Sequence, residues 1–209
     1  MCTIVKVDDV VCTNFQGGLV VFYKDERLAL FIDGANLYAT AKALGIEVDF
    51  KLLRQEFSRR GKLVRAFYYT AIVENEEFTP IRPLVDWLSY NGYSLVTKTV
   101  KEYTDSLGRK KVKGSMEINL AVDALELAPT INHAVIFSGD GDFKPLVECL
   151  QRKGVRVSIV STLRSQPPMI SDELRRQADN FIDLEELREI ISKPLIKPHT
   201  DPPMEGLAK

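Results

Sequence analysis

Histidine is nearly missing from this chain: among 209 residues only His133 and His199 carry an imidazole. A histidine-rich zinc site is therefore excluded, and any imidazole-based triad would rest on one residue, His133. Cysteine is almost as scarce. Cys2, Cys12 and Cys149 form no CxxC pair and leave one thiol without a mate, which fits a reducing, cytoplasmic setting. No apolar run approaches the ~20 residues of a membrane span. The N-terminus shows no basic segment followed by an apolar core, so no secretory leader is expected. Excess charge is lacking too: the formal net charge is −1, no bulk field draws the protein to nucleic acid, and any basic surface has to be local. The remainder is ordinary for a globular protein, with 45% hydrophobic and 27% charged residues over a length that suits one domain. With imidazoles and thiols so few, chemistry falls to carboxylates.

Leu28–Ile32 is a continuous apolar run, as in a strand buried on both faces, and it ends on Asp33-Gly34-Ala35-Asn36 before a helical pattern begins. Asp33 is then either a helix cap or an acid in the crevice where open α/β sheets bind ligands. From there strands and helices alternate. Helices are expected over 36–44, over 50–60 after an Asp49 cap, from Thr79-Pro80 to about Tyr90, after a Ser115 cap, from the Asp142 region to Lys153, after Ser171 or Asp172, and over 184–191. Strands are expected over 63–70, 93–99, 133–137, 155–160 and 181–183. This alternation predicts a three-layer α/β/α fold around a central, mostly parallel sheet. Residues 28–191 form the domain. Residues 1–27 either pair as a hairpin around Gln16-Gly17-Gly18 or form a loose, partly ordered extension, and the extension is preferred. Residues 192–209, with four prolines, read as a disordered tail.

Four carboxylates stand out: Asp33, Glu117, Asp140 and Asp142. Asp33 and Asp140 each follow an apolar strand, and right-handed parallel topology puts both at one sheet edge. Glu117 reads plainly as a first-turn acid complementing a helix dipole, and Asp142 as a helix cap. Acids gathered on one spot repel one another unless a divalent cation holds them, and oxygen ligands without His or Cys suit Mg²⁺ or Mn²⁺. Asp123 lies about 120° round and ~9 Å up an ideal helix from Glu117, so it either supports the site or is solvated. A basic stretch, Lys98, Lys101, Arg109, Lys110, Lys111 and Lys113 with Tyr103 among them, is a solvated hairpin or a phosphate-facing arm that favours a single strand. A haloacid-dehalogenase phosphatase would need an acid where Ala35 stands. An EF-hand would need acids where Phe143, Lys144 and Pro145 follow Asp142. A DxD sugar-nucleotide site at Asp140 and Asp142 leaves residues 31–36 unexplained.

The segments FIDGANLY (31–38), KGSMEINLAVDALELA (113–128), VIFSGDGDF (135–143) and LRRQADNFIDL (174–184), in this order, resemble the LabA-like group of NYN domains, relatives of the PIN nucleases. The likeness runs from about residue 28 to 191. It implies a PIN-like, Rossmann-like fold and a nuclease centre using Mg²⁺ or Mn²⁺ and acting mainly on RNA. Residue by residue, it implies Asp33, Glu117, Asp140 and Asp142 as metal- or water-positioning acids, supported by Asn36 and Ser138. Glu117 departs from the pattern, which usually carries Asp there, and its longer side chain moves the carboxylate. The expected function is hydrolysis of phosphodiester bonds in single-stranded RNA. The alternative is a catalytically silent RNA- or protein-binding regulatory module on the same fold, and self-association stays open.

Overall fold

The run Leu28–Ile32 is wholly buried, and the fold grows outward from it. The computed structural model describes residues 4–7, 10–15, 18–73, 81–100, 102–104, 110–112 and 116–192, with side chains for 20–72, 81–100 and 116–192. In chain order the elements are β1 (Ile4–Val7), β2 (Val10–Phe15), β3 (Gly18–Tyr23), β4 (Arg27–Asp33), α1 (Gly34–Leu44), α2 (Phe50–Arg60), β5 (Lys62–Val73), α3 (Arg82–Tyr90), β6 (Ser94–Val100), β7 (Glu102–Thr104), β8 (Lys110–Val112), α4 (Glu117–Leu127), β9 (His133–Phe137), α5 (Lys144–Arg152), β10 (Arg156–Ser161), α6 (Asp172–Gln177), β11 (Asn180–Asp183) and α7 (Arg188–Ile191).

Six strands form the central sheet in the order β11-β10-β9-β4-β5-β6, and their pairings are all parallel. The chain moves outward from β4 through β5 to β6, then returns to the other side of β4 and moves outward again through β9, β10 and β11. β4 and β9 are thus neighbours whose connections depart in opposite directions. Beyond the carboxyl ends of such a pair lies the ligand crevice of a doubly wound sheet.

Alternating side chains divide the core in two. One face of β4 sends Leu28, Leu30 and Ile32 against α1, α2, α3 and α7, while the other sends Ala29 and Phe31 against α4, α5 and α6. Full burial of each large aliphatic side chain contributes about 1.5–3 kcal/mol. The sheet with a helical layer on each face is the expected three-layer α/β/α architecture. No described helix is long and apolar enough to cross a membrane.

Local caps explain several boundaries. Asp49 Oδ1 accepts the Lys51 and Leu52 amides at 2.8 and 3.1 Å to start α2, and Ser171 Oγ accepts the Leu174 amide at 3.2 Å to start α6. Gly45 ends α1 at φ 67°, in the left-handed region that favours glycine. The helix expected from Thr79-Pro80 begins instead at Arg82 with Pro83 in its first turn, and Thr79 and Pro80 lie outside the described residues. α4 has Met116 at its cap position and no side-chain cap bond; Ser115, the expected cap, also lies outside them.

The preference for a loose extension over residues 1–27 needs correction. β1, β2 and β3 form an antiparallel meander, so the hairpin alternative describes the backbone. The reason is long-range burial: the Phe22 ring lies 6.1 Å from that of Phe57 and 4.9 Å from that of His133. Arg156 adds a hydrogen bond to the Val21 carbonyl at 2.8 Å. β7 and β8 pair antiparallel, with Tyr103 opposite Lys111, and give the basic stretch its hairpin backbone. Residues 193–209, expected to form a disordered tail, lie outside the described residues.

Candidate acidic site at the switch point

Asp33 is the last residue of β4 and the N-cap of α1, so the strand end and the helix start fix one side chain between them. Its Oδ1 accepts the amides of Ala35 at 3.1 Å and Asn36 at 3.2 Å. Its Oδ2 faces the Ser138 hydroxyl at 3.4 Å. Ser138 directly follows β9, whose Phe137 is paired with Ile32, and register alone therefore brings Ser138 beside Asp33. Asn36 closes the arrangement by accepting the Gly139 amide on Oδ1 at 3.1 Å. The two motifs are joined across the switch point by these side-chain bonds.

The turn after β9 is held from both sides. The Asp140 amide donates weakly to Ser138 Oγ at 3.3 Å, and the Asp140 Oδ1 accepts the Asp142 amide at 3.0 Å. Asp140 thus caps this turn, and the following helix α5 has Phe143 at its cap position with no side-chain cap bond, so Asp142 is not the helix cap that the sequence offered as its plain reading. On the other side the Ser171 amide donates to the Gly139 carbonyl at 2.9 Å. A Cβ at Gly139 would lie 1.7 Å from the Met169 carbonyl oxygen, so only glycine lets the two segments approach this closely.

Electrostatics single out Asp33. Burial pushes its carboxyl above the ordinary 3.8; the amides of Asn36 and Ala35 and the Ser138 hydroxyl oppose the rise, and the negative charge of Glu117 adds to it. Glu117 thus lies near enough to act on Asp33. Glu117 and Asp142 also share the rim of a groove of about 380 Å³ between α4 and α5, walled by Ile118, Leu125 and Phe143 among others. Asp123 is not simply solvated: the Tyr69 hydroxyl donates to its Oδ2 at 3.0 Å, and Tyr69 is paired with Asp33 across β4 and β5. Burial, with the charge of Asp123, drives the Tyr69 hydroxyl far above its ordinary 10, so it remains a donor.

Sequence reasoning missed two adjacent tyrosines within β5. Tyr69 positions Asp123. Tyr68, on the other face, packs so close to Gly34 that a Cβ there would lie 2.7 Å from its ring. Burial and the charge of Asp33 push the Tyr68 phenol up to about 12. The available signal was the adjacent Tyr68-Tyr69 pair within a strand, where alternation sends one ring to each face. His133 takes no part, because it begins β9 at the end opposite Ser138. The side chains of Lys101, Tyr103, Arg109, Lys110, Lys111 and Lys113 lie outside the described residues.

The NYN domain pattern matches residues 27–185. This chain belongs to the NYN domain family. The NYN domain is a PIN-like, nuclease-type fold, and here its two strand-end motifs meet at the switch point. The chain is 31% identical over 175 residues to the low amplitude and bright protein LabA of Synechococcus elongatus, covering 82% of this chain and 90% of that protein. A crystal structure of a Vibrio parahaemolyticus protein of unknown function shares the fold at a TM-score of 0.63 and 26% identity, over 77% of this chain and 93% of the other.

NYN and PIN-like nucleases typically use divalent metals, so the fit of this donor set matters. Among the described residues no three His, Cys, Asp or Glu side chains gather closely enough to form a protein-lined metal cage. The donors are carboxylate oxygens, and Asp33 is a part-buried acid that also feels the negative charge of Glu117. That set fits a hard cation that keeps part of its water shell and uses one or two carboxylates, as Mg²⁺ does.

Proposed function

We propose that this NYN domain is a metal-dependent nuclease hydrolysing phosphodiester bonds in single-stranded, cytoplasmic RNA. Residues 28–191 would carry the activity, with 1–27 and 192–209 as flanking segments. The observation that carries the reading is the state of Asp33, a carboxylate fixed at the switch point whose ionisation is opposed by burial and by Glu117. A site that holds acids against their mutual repulsion is suited to a cation.

Asp33 and Glu117 would hold Mg²⁺ or Mn²⁺, with Asp140 and Asp142 on the adjoining turn. When bound, the ion supplies charge stabilisation at the phosphoryl oxygens and a more acidic water. The chain's own residues do the rest. Asn36 and Ser138 fix the position of Asp33 relative to the turn after β9. Asp123, held by Tyr69, supports the start of the site from α4. A carboxylate oxygen of Asp142, the exposed acid of the turn, takes the proton of the attacking water. Lys101, Arg109, Lys110, Lys111 and Lys113 contact phosphates in this reading, and Tyr103 stacks on a base.

Thermal melting separates this reading from a silent module. A ligand that binds only the folded state raises Tm, so Mn²⁺ should stabilise the wild type and not Asp33→Asn. In EDTA the order changes. A carboxyl with a raised pKa lends stability below its unfolded pKa, and this is lost as pH rises through the folded one. At neutral pH the wild type has lost it, whereas Asn caps a helix as well as Asp and carries no charge. Asp33→Asn should therefore melt no lower than the wild type without metal. Equal responses of both proteins to Mn²⁺ would favour the silent module.

A further inference from the structure

We infer that the outward face of α1 is a stacking step for one nucleotide of the substrate strand, with Tyr38 under the base and Lys42 beside the phosphate; this rests on the ribonuclease reading above. α1 starts directly from Asp33, and its residues separate cleanly by phase. Leu37, Thr40 and Ala41 are buried, whereas Ala35, Tyr38, Ala39 and Lys42 are exposed. These exposed positions are three, four and seven residues apart and so form one stripe leading away from the acid.

Tyr38 is 68% exposed, although a tyrosine side chain has ample apolar area to bury. Its neighbours on the stripe are alanines, which leave the ring accessible to a flat partner. Lys42 Nζ stands 6.0 Å from the ring centroid, so a π face and a cation share one patch. That pair is what a sequence-tolerant single-strand binder needs: the ring takes any base and the cation takes the phosphate. A duplex has its base faces already stacked and gains nothing from Tyr38. Charge complementarity favours the same occupant, because a protein of net charge −1 attracts a polyanion only through local cations such as Lys42. Tyr38 stands about 7.5 Å up and about 140° round an ideal helix from Asp33, so the substrate strand turns over the start of α1 between them. A strand with its scissile phosphate at Asp33 therefore has an adjacent base over Tyr38.

The test measures binding of a short labelled single-stranded RNA over a salt series, with all variants built on Asp33→Asn. Tyr38→Ala should weaken binding by about 5- to 150-fold, and Tyr38→Phe should leave it unchanged. Lys42→Ala should flatten the slope of log affinity against log salt by about 0.7. Tyr90→Ala removes a ring that is 88% exposed at the end of α3 and should have no effect. If Asp33→Asn does not bind RNA at all, the RNA reading falls and this inference with it. Undiminished binding by Tyr38→Ala overturns the stacking step while the nuclease reading stands. Unchanged RNA affinity together with altered sedimentation of the RNA-free Tyr38→Ala protein would assign the face to a second copy of the chain and also overturn the inference.

Discussion

Each oxygen of Asp33 has a different role: Oδ1 accepts the Ala35 and Asn36 amides, and Oδ2 meets the Ser138 hydroxyl. The sequence posed helix cap and site acid as rivals, but a carboxylate has lone pairs enough for both. Glu117 presents a sharper question, since it places its carboxylate one methylene further from α4 than Asp would. On the proposed mechanism Glu117→Asp should keep or raise cleavage, and Glu117→Gln should abolish it. Equal cleavage by Glu117→Gln and the wild type would remove this residue from the site. Asp33 and Asp140 were legible in the sequence because each follows an apolar strand, whereas Asn36 and Ser138 came only from the family resemblance. The Tyr69–Asp123 bond was not, because 54 positions separate its partners and only the fold brings them together.

At the scale of elements, the strands leading into Asp33 and Ser138 were legible as apolar runs, and alternation with helices gave the parallel sheet. Which strand neighbours which was not, since the switch between β4 and β9 depends on a crossover that no local pattern encodes. The N-terminal meander was hidden for a similar reason. β3 is secured by distant groups: Phe22 stacks on His133, and Arg156 reaches the Val21 carbonyl and Glu26. His133 itself bonds to Ser158 Oγ at 2.7 Å, with Glu26 and Arg156 at its other nitrogen. Burial holds its pKa below the ordinary 6.5, against the pull of Glu26. A lowered folded pKa gives stability that is complete above the unfolded value of about 6.5 and is lost as pH falls through the folded one. Between pH 7 and pH 5 the Tm of the wild type should fall further than that of His133→Gln, which cannot titrate. Parallel falls in both would show that His133 does not couple the meander to pH.

Across the whole molecule, a nearly neutral chain carries its function in local contrasts. The candidate acidic site lies at the switch point, the exposed stripe of α1 starts beside it, and Glu117 and Asp142 also line the groove between α4 and α5. The family match spans residues 27–185, so the fold that unites these features is that of the NYN domain as a whole. The central claim is that this arrangement cuts RNA by chemistry that depends on Asp33 and a divalent ion. The most direct measurement is the cleavage rate of end-labelled single-stranded RNA in Mn²⁺, with wild type and Asp33→Asn compared at equal RNA occupancy and an EDTA arm for each. The account predicts cleavage by the wild type that EDTA stops, and a rate at least about 100-fold lower for Asp33→Asn. Equal rates for the two proteins, or wild-type cleavage that persists in EDTA, would contradict it.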